Sequence, residues 1–357
     1  MRKLSRRAWM AGAAMAAQAA NLPIVRLPQK VRVAIIGLEG HIGEILEPMD
    51  RLPDVELVAI QDRDPALMRK VLESKHGAHA RPYAKWRDLL DGEKLDIAGI
   101  CGTNCERAEI ILECAKRKLN IVAEKPLAIT TPDLDRIKRA VADSGIHLTM
   151  LIEMRFEAPY RALKQIVDSG DIGEIAQIGA QKSYKLGERP DWMRHRSTFG
   201  GTIPYIGIHM VDLMRWTTSR ELVEVVSYQG RVGHPELQDM EDVTASLFKL
   251  DNGGIAALRM DYLRPDTAPT WGDDRLRIAG SHGIAEFQEH AGLTLATDKR
   301  PLRQITDLPP GGSLFIDFLN SVYSGQAPGL SLRDIYRVNE VVLAARDSAD
   351  QHRFVQL

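Results

Sequence analysis

Between residues 31 and 151, short apolar runs alternate with amphipathic helical stretches, and this rhythm restricts the fold more than any other feature of the chain. Val31-Arg32-Val33-Ala34-Ile35-Ile36 stops at Gly37. Val55 to Ile60 ends at Gln61-Asp62-Arg63, and Ile97–Cys101, Ile121–Ala123 and Ile146–Leu151 follow. Asp64-Pro65 reads as an N-cap with proline at the first helical position. Glu106–Arg117 sets Ile110, Ile111, Cys114 and Ala115 at helical spacing. Thr131-Pro132-Asp133 opens a helix with Leu134, Ile137 and Val141 on one face, and Gly145 closes it. Regular alternation of this kind predicts an α/β Rossmann domain, a doubly wound parallel sheet.

The rhythm changes after residue 151. A helix at Tyr160–Val167 leads into a long strand, Glu174–Lys185. Strands are expected near Leu222–Val232, Val243–Leu250, Ile255–Leu263, Leu276–Ala279 and Ile284–Phe287, with Asp251-Asn252-Gly253-Gly254 as a hairpin turn. Helices at Leu314–Tyr323 and Leu332–Ala345 finish the chain. The second half therefore reads as an α+β domain on a large, mostly antiparallel open sheet. Such an apolar sheet face suggests homo-oligomer packing, as a dimer or tetramer. The expected division is a leader over 1–25, a dinucleotide-binding domain over 30–150 and a substrate and oligomerisation domain over 151–357.

Arg2, Lys3, Arg6 and Arg7 precede a small-residue apolar run from Ala8 to Ala20. The run is short for a membrane span. Ser5-Arg6-Arg7-Ala8-Trp9-Met10 matches a twin-arginine export signal, and Ala17-Gln18-Ala19 offers a cleavage site. The expected location is periplasmic or otherwise extracytoplasmic, with no membrane span left after cleavage. The 47 basic and 48 acidic residues leave a formal net charge of −1, which argues against a nucleic-acid surface. Cys101, Cys105 and Cys114 form neither a disulfide framework nor a zinc half-site pair, so a packing role is expected.

Three constellations carry chemistry. Gly37, Gly40 and Gly43, with His41 and Ile42 between the last two, join a strand to a helix. Glycines there let the backbone approach a pyrophosphate, and a helix N-terminus favours its charge. The spacing is G-x2-G-x2-G, with Glu39 at the usual second glycine position. Asp62, 19 positions after Gly43, can accept ribose hydroxyls and would repel a 2′-phosphate, favouring NAD; Arg63 beside it leaves NADP possible.

The second constellation is Glu124-Lys125-Pro126 at the end of the fourth strand. Lys125 is placed to meet the nicotinamide ribose and a substrate hydroxyl, where its charge would stabilise a developing alkoxide. The third runs from Gly200-Gly201 through Pro204 and Tyr205 to His209 and Asp212. His209 near a helix start is a candidate general base. Asp212 reads as a helix residue. His209-x2-Asp212 lacks a third ligand at suggestive spacing, so no metal is expected. Arg194 and His195, in the loop Arg189–Arg196, could hold a hydroxylated substrate.

With these pieces in order, the chain resembles the Gfo/Idh/MocA family of glucose–fructose oxidoreductase, inositol dehydrogenase and relatives. The resemblance rests on Glu124-Lys125-Pro126, on Gly207-x-His209-x-x-Asp212, on Thr103-Asn104 where the family usually has Pro-Asn, and on Met154-Arg155-Phe156 opening the second domain. It implies NAD or NADP in the first domain and oxidation or reduction of a sugar or cyclitol against the second domain's sheet. It makes Lys125 the family lysine and His209 the family histidine, with Thr103, Asn104 and Glu124 on the cofactor side and Arg155 on the substrate side. The family often has an aspartate four residues before the histidine; here Tyr205 stands there, able to donate a hydrogen bond or relay a proton but not to supply a carboxylate. The main expectation is a nicotinamide-dependent oxidoreductase holding its cofactor tightly. A glycoside-cleaving enzyme working by transient oxidation and a non-catalytic cofactor-binding sensor stay open.

Overall fold

The computed structural model describes residues 23–357; the expected export signal lies outside them. Six parallel strands form the first sheet: β1 (Val31–Ile36), β2 (Val55–Gln61), β3 (Arg81–Tyr83), β4 (Ile97–Ile100), β5 (Asn120–Ala123) and β6 (Leu148–Met150). Their order is β3-β2-β1-β4-β5-β6. The central strands are mostly apolar, as strands covered by helices on both faces are, and β4 is buried at every position. The order reverses between β1 and β4, so their carboxyl ends flank the crevice where open parallel sheets bind ligands.

Two elements of this domain carry too little periodicity to be read from the sequence. Strand β3 has three residues and sits at the sheet edge, where Pro82 is tolerated. The helix Trp86–Gly92 follows it. The helix after the glycine loop is also shorter than its apolar pattern implies. It is α-helical only over Gly43–Leu46 and continues as a 3-10 turn, Glu47–Arg51, containing Pro48.

The second sheet has nine strands: β7 (Ile175–Ser183), β8 (Leu222–Gly230), β9 (Val243–Leu250), β10 (Ile255–Asp261), β11 (Arg275–Gly280), β12 (Gly283–Gln288), β13 (Gly292–Thr297), β14 (Arg300–Ile305) and β15 (Val355–Gln356). Their order is β14-β13-β12-β11-β7-β10-β9-β8-β15. All neighbours are antiparallel except β7 and β10, which run parallel. The hairpin expected at residues 251–254 joins β9 to β10, with Leu250 N–H donating to Gly254 O. One face packs under the helices Ala158–Asp168, Ile208–Thr218 and Leu332–Gln351. Strict alternation along β9 leaves the other face open, where Tyr228, Leu247 and Ile255 are exposed.

The helix Leu332–Gln351 fastens the two domains together. Asn339 Oδ1 accepts from Leu127 N–H at 2.9 Å, just after Pro126, and Arg346 donates to the carbonyls of Ile129 and Gly200. Cys101 and Cys114 are buried packing residues as expected, whereas Cys105 is exposed on its helix. No helix among the described residues is long and apolar enough to cross a membrane.

Candidate active site

The cofactor side is built on the ends of β1, β4 and β5. Gly37 has φ +76° and lies so close to Gly102 that a Cβ would stand 2.2 Å from its backbone. A side chain there would force the two strand ends apart at the crevice. Gly40 is needed for another reason: its Cβ would meet Glu124 Oε1 at 2.3 Å. Glu124 therefore packs beneath the loop and accepts from His41 twice, from the backbone N–H at 2.7 Å and from Nδ1 at 2.5 Å. Asp62 is tied to the same loop, accepting from Leu38 N–H and Asp64 N–H, each at 2.7 Å. Those bonds occupy part of the carboxylate and aim it at the crevice, leaving lone pairs for ribose hydroxyls. Close backbone approach at the switch point, with an acid beside it, fits a dinucleotide.

Three residues expected on this side have partners within the protein. Asn104 is buried, with Nδ2 donating to Phe199 O at 2.7 Å and Oδ1 accepting from Arg107. Both ends of its amide are engaged, so it anchors the second domain's loop rather than offering itself to a cofactor. Arg63 is paired with Glu106, Nη2 to Oε1 at 2.5 Å. Thr103 also bonds Glu106, through its hydroxyl at 2.8 Å. Arg107, invisible in the sequence, is a buried cation whose Nη1 donates to Pro126 O and Nη2 to Gly102 O. It clamps the turn carrying Lys125 against the end of β4.

Lys125 is only 2% exposed, and the Lys125–Pro126 peptide is cis. Its Nζ donates to the carbonyl oxygen of Tyr205 at 2.8 Å and lies 3.4 Å from the centre of the Tyr205 ring. Burial lowers its pKa to about 8, against the pull of Glu124 and Glu153. Glu124 behaves oppositely: burial pushes its carboxyl up, yet His41, Lys125 and Arg107 together bring it down to about 2. It is an anion that holds His41 above its ordinary pKa.

His209 begins the helix Ile208–Thr218, directly after a π-helical turn, Ile203–Gly207. It is 5% exposed, and burial, followed by the charges of Lys125, Lys182 and His41, depresses its pKa well below the ordinary value. A neutral imidazole at neutral pH is the form that accepts a proton. Its ring meets that of His41 edge-on at 5.9 Å.

Tyr205 does not take the place of the missing aspartate. Its ring packs on Phe199 at 4.4 Å and presents its face to Lys125, and burial raises its phenol pKa far from neutrality. It gives the ammonium its ring face and its main-chain carbonyl. The carboxylate in the cleft is Glu153, at the start of the 3-10 turn Glu153–Phe156 after β6. One ligand-type atom from each of His41, Glu153 and His209 lies within 4.8 Å of the others. No spacing argument could have found Glu153, because its neighbours come from residues 41 and 209.

Arg155, expected on the substrate side, is engaged within the protein. It is 4% exposed and each of its three guanidinium nitrogens is bonded: Nε to Asp212 Oδ2 at 2.6 Å, Nη2 to Asp212 Oδ1 at 2.5 Å, and Nη1 to Asp334 at 3.1 Å. Asp212 belongs to the helix, as expected, and works as the counter-ion that seats it. His195 faces Asp191 at 3.5 Å and Asp239 at 3.8 Å, outside the His41–Glu153–His209 cluster, and Arg194 precedes it on the same 3-10 turn. From that turn, Trp192 reaches the glycine loop. Lys182 is a second buried lysine missed in the sequence, held by Asp274 at 2.6 Å.

Comparison with known proteins agrees with this architecture. An oxidoreductase family with an NAD-binding Rossmann fold matches residues 31–151, and a GFO/IDH/MocA C-terminal domain matches residues 160–286. Myo-inositol 2-dehydrogenase of Thermotoga maritima is 26% identical over 337 residues, spanning 92% of this chain and 98% of its own. A solved candidate oxidoreductase from the same organism superposes with a TM-score of 0.86 at 32% identity, over 92% of this chain and 100% of that one. The aldose–aldose oxidoreductase of Caulobacter crescentus, solved with glycerol, has the same fold, with a TM-score of 0.78 at 20% identity over 92% of this chain and 100% of its own. A switch-point crevice with an acid after β2, a buried strand-end lysine and a neutral histidine thus occur together in a chain that belongs to the Gfo/Idh/MocA family, as an NAD-binding oxidoreductase.

Proposed function

We propose that the protein transfers hydride between NAD and a secondary alcohol of a sugar or cyclitol. The observation that carries this reading is the pairing of Lys125 with His209. Lys125 is bonded to the carbonyl of Tyr205, four residues before His209, so ammonium and imidazole address one region of the cleft. Bound NAD supplies the hydride acceptor. The ammonium polarises the reacting oxygen, and His209 takes the hydroxyl proton as the C–H bond breaks. Polyol substrates suit a cleft rich in charged donors and acceptors, and myo-inositol is the substrate class named for the Thermotoga maritima relative.

Export by the twin-arginine route, on the strength of Ser5-Arg6-Arg7, goes with this reading. Outside the cytoplasm no soluble pool recycles the nucleotide. The cofactor is then retained, and one substrate is oxidised while another is reduced. The exposed face around Tyr228, Leu247 and Ile255 would pack against a second copy.

The test is the absorbance spectrum and mass of any nucleotide that co-purifies, followed by cyclitols and aldoses screened for bleaching or restoring its reduced form. A protein with no bound nucleotide and no affinity for one would sink the proposal. A second reading, cleavage of a glycoside through transient oxidation, draws on the Glu124-held His41, an acid–base group beyond what one hydride transfer needs. It would show product without net change in the cofactor.

A further inference from the structure

Oxidation of an alcohol leaves a proton as well as a hydride, and His209 is poorly placed to keep that proton. It is 5% exposed, and burial, followed by the charges of Lys125, Lys182 and His41, holds its pKa well below the ordinary value. An imidazolium formed there at neutral pH must hand its proton on before the next alcohol can react. Two other elements meet the helix of His209 at this point. The glycine loop brings His41, and the 3-10 turn after β6 brings Glu153. One titratable atom of each of the three lies within 4.8 Å of the others. A gap of that size is longer than a hydrogen bond and can be bridged by one water.

The groups around the cleft differ in their capacity to take a proton. Glu124 accepts from His41 twice and from Lys125 N–H. Against the effect of burial, its cationic neighbours bring its pKa down to about 2, so it stays an anion. Asp212 is paired with Arg155, and Asp274 with Lys182. His41 is drawn toward imidazolium by Glu124, which makes it a poor acceptor of a further proton. Glu153 Oε2, in contrast, is buried without a hydrogen-bond partner. Such an oxygen is rare in a folded protein, and here its lone pairs are free. The charge of Glu153 also reaches two further carboxylates, Glu44 and Glu157. Glu44, on the helix after the glycine loop, is pushed up to about 7, first by burial and then by Glu153. Glu157 is exposed to solvent.

We propose that Glu153 is the proton relay of this site, receiving from His209 the proton of the substrate hydroxyl and passing it by way of Glu44 and Glu157 to solvent. This rests on the dehydrogenase reading. The hydroxyl proton goes to the imidazole as the C–H bond breaks and its hydride leaves for the bound NAD. The imidazolium then gives that proton, through one water, to a carboxylate oxygen of Glu153, and His209 is neutral again. Reduction of a carbonyl runs the same transfers backward, with protonated Glu153 recharging His209. Glu153 is not itself the base; it acts through His209. It sets a carboxylate beside the histidine from the end of the first domain's last strand, where Tyr205 in the second domain offers none.

The full chain, loaded with NAD, is mixed with myo-inositol or with an aldose in weak buffer near pH 7. Stopped flow follows reduced nucleotide by its absorbance and the released proton by an indicator dye. Glu153→Gln, nearly isosteric, should slow proton release at least about tenfold while NAD affinity and melting temperature stay close to wild type. Formate added to Glu153→Ala should restore proton release severalfold and leave wild type unchanged, a rescue that a merely structural role would not give. Proton release from Glu153→Gln at the wild-type rate overturns the relay. Slow release that formate does not restore overturns it as well and makes Glu153 a structural residue. Both of those outcomes leave the dehydrogenase reading standing. Wild type that reduces no NAD with any of these polyols refutes that reading, and the relay with it.

Discussion

Trp192 Nε1 donates to the Glu39 carboxylate at 2.8 Å, so an indole from the second domain is bonded to the glycine loop of the first. Glu39 stands at the usual second glycine position of the dinucleotide fingerprint, which explains what the departure does. The substituted side chain does not crowd the crevice; it reaches out and holds a loop over it. The loop is seated from behind by Asn104, which holds Phe199. Trp192→Phe keeps the ring and removes the donor. The expected outcome is nucleotide release faster by several-fold, measured by stopped-flow displacement, with little change in melting temperature because Trp192 is only half-buried.

Lys125 is held charged at a cost. Its pKa is lowered from the ordinary 10.5 to about 8 by burial, so charging it at neutral pH costs the fold roughly 3 kcal/mol. Lys125→Met should raise the unfolding free energy by roughly 1–3 kcal/mol while turnover falls at least a hundredfold. The sign with pH follows. Between about 8 and 10.5 the unfolded chain keeps this proton and the folded chain has released it, so wild-type stability recovers as pH rises. The advantage of the variant, followed by urea denaturation, should be full at pH 7 and shrink across that window.

Tyr205 gives Lys125 its ring face and its main-chain carbonyl. Tyr205→Phe preserves both and should keep kcat within about threefold of wild type. Tyr205→Ala removes the ring and should lower kcat about tenfold or more, since a cation–π contact of a desolvated ammonium contributes up to about 2 kcal/mol. Steady-state kinetics on both variants decides whether the ring or the phenol matters.

Arg155 and Asp212 form a two-point ion pair buried from solvent. Removing one partner leaves the other charge stranded. Arg155→Leu should destabilise the protein by about 3–5 kcal/mol in denaturant titration. Substrate KM of the fraction that remains folded should change little, because every guanidinium nitrogen of Arg155 is bonded within the protein.

Asp62 shares its carboxylate between the protein and, in the proposed complex, a ribose. Asp62→Asn retains an acceptor but loses the charge. NAD affinity should fall about tenfold and discrimination against NADP should narrow, both read by calorimetry with the two nucleotides.

Much of the fold was legible because its signals are local. The alternation over residues 31–151 marked five of the six parallel strands, and β9 was bounded to the residue. Elements escaped where local signal is weak. β3 is a three-residue edge strand, and β14 is exposed at five of its six positions, so neither has an apolar face to read. The same division holds in the site. Lys125 was found because a strand-end lysine before proline is a local pattern. The ion pairs of Arg155 could not be read, because its partners lie at 212 and 334.

By itself, then, the sequence determined the parallel and antiparallel halves of the chain and singled out Lys125, His209 and Asp62 as candidates. These follow from periodicity, from turn chemistry and from the few side chains that can do proton and hydride work. The tertiary structure alone decided which polar groups are free. It engaged Asn104 and Arg155, turned Tyr205 into a wall, and brought His41 to His209 across 168 residues of chain and Glu153 to it across 56. A hydrogen-bond donor can be spent only once, and which partner claims it depends on burial and on contacts between residues far apart in sequence.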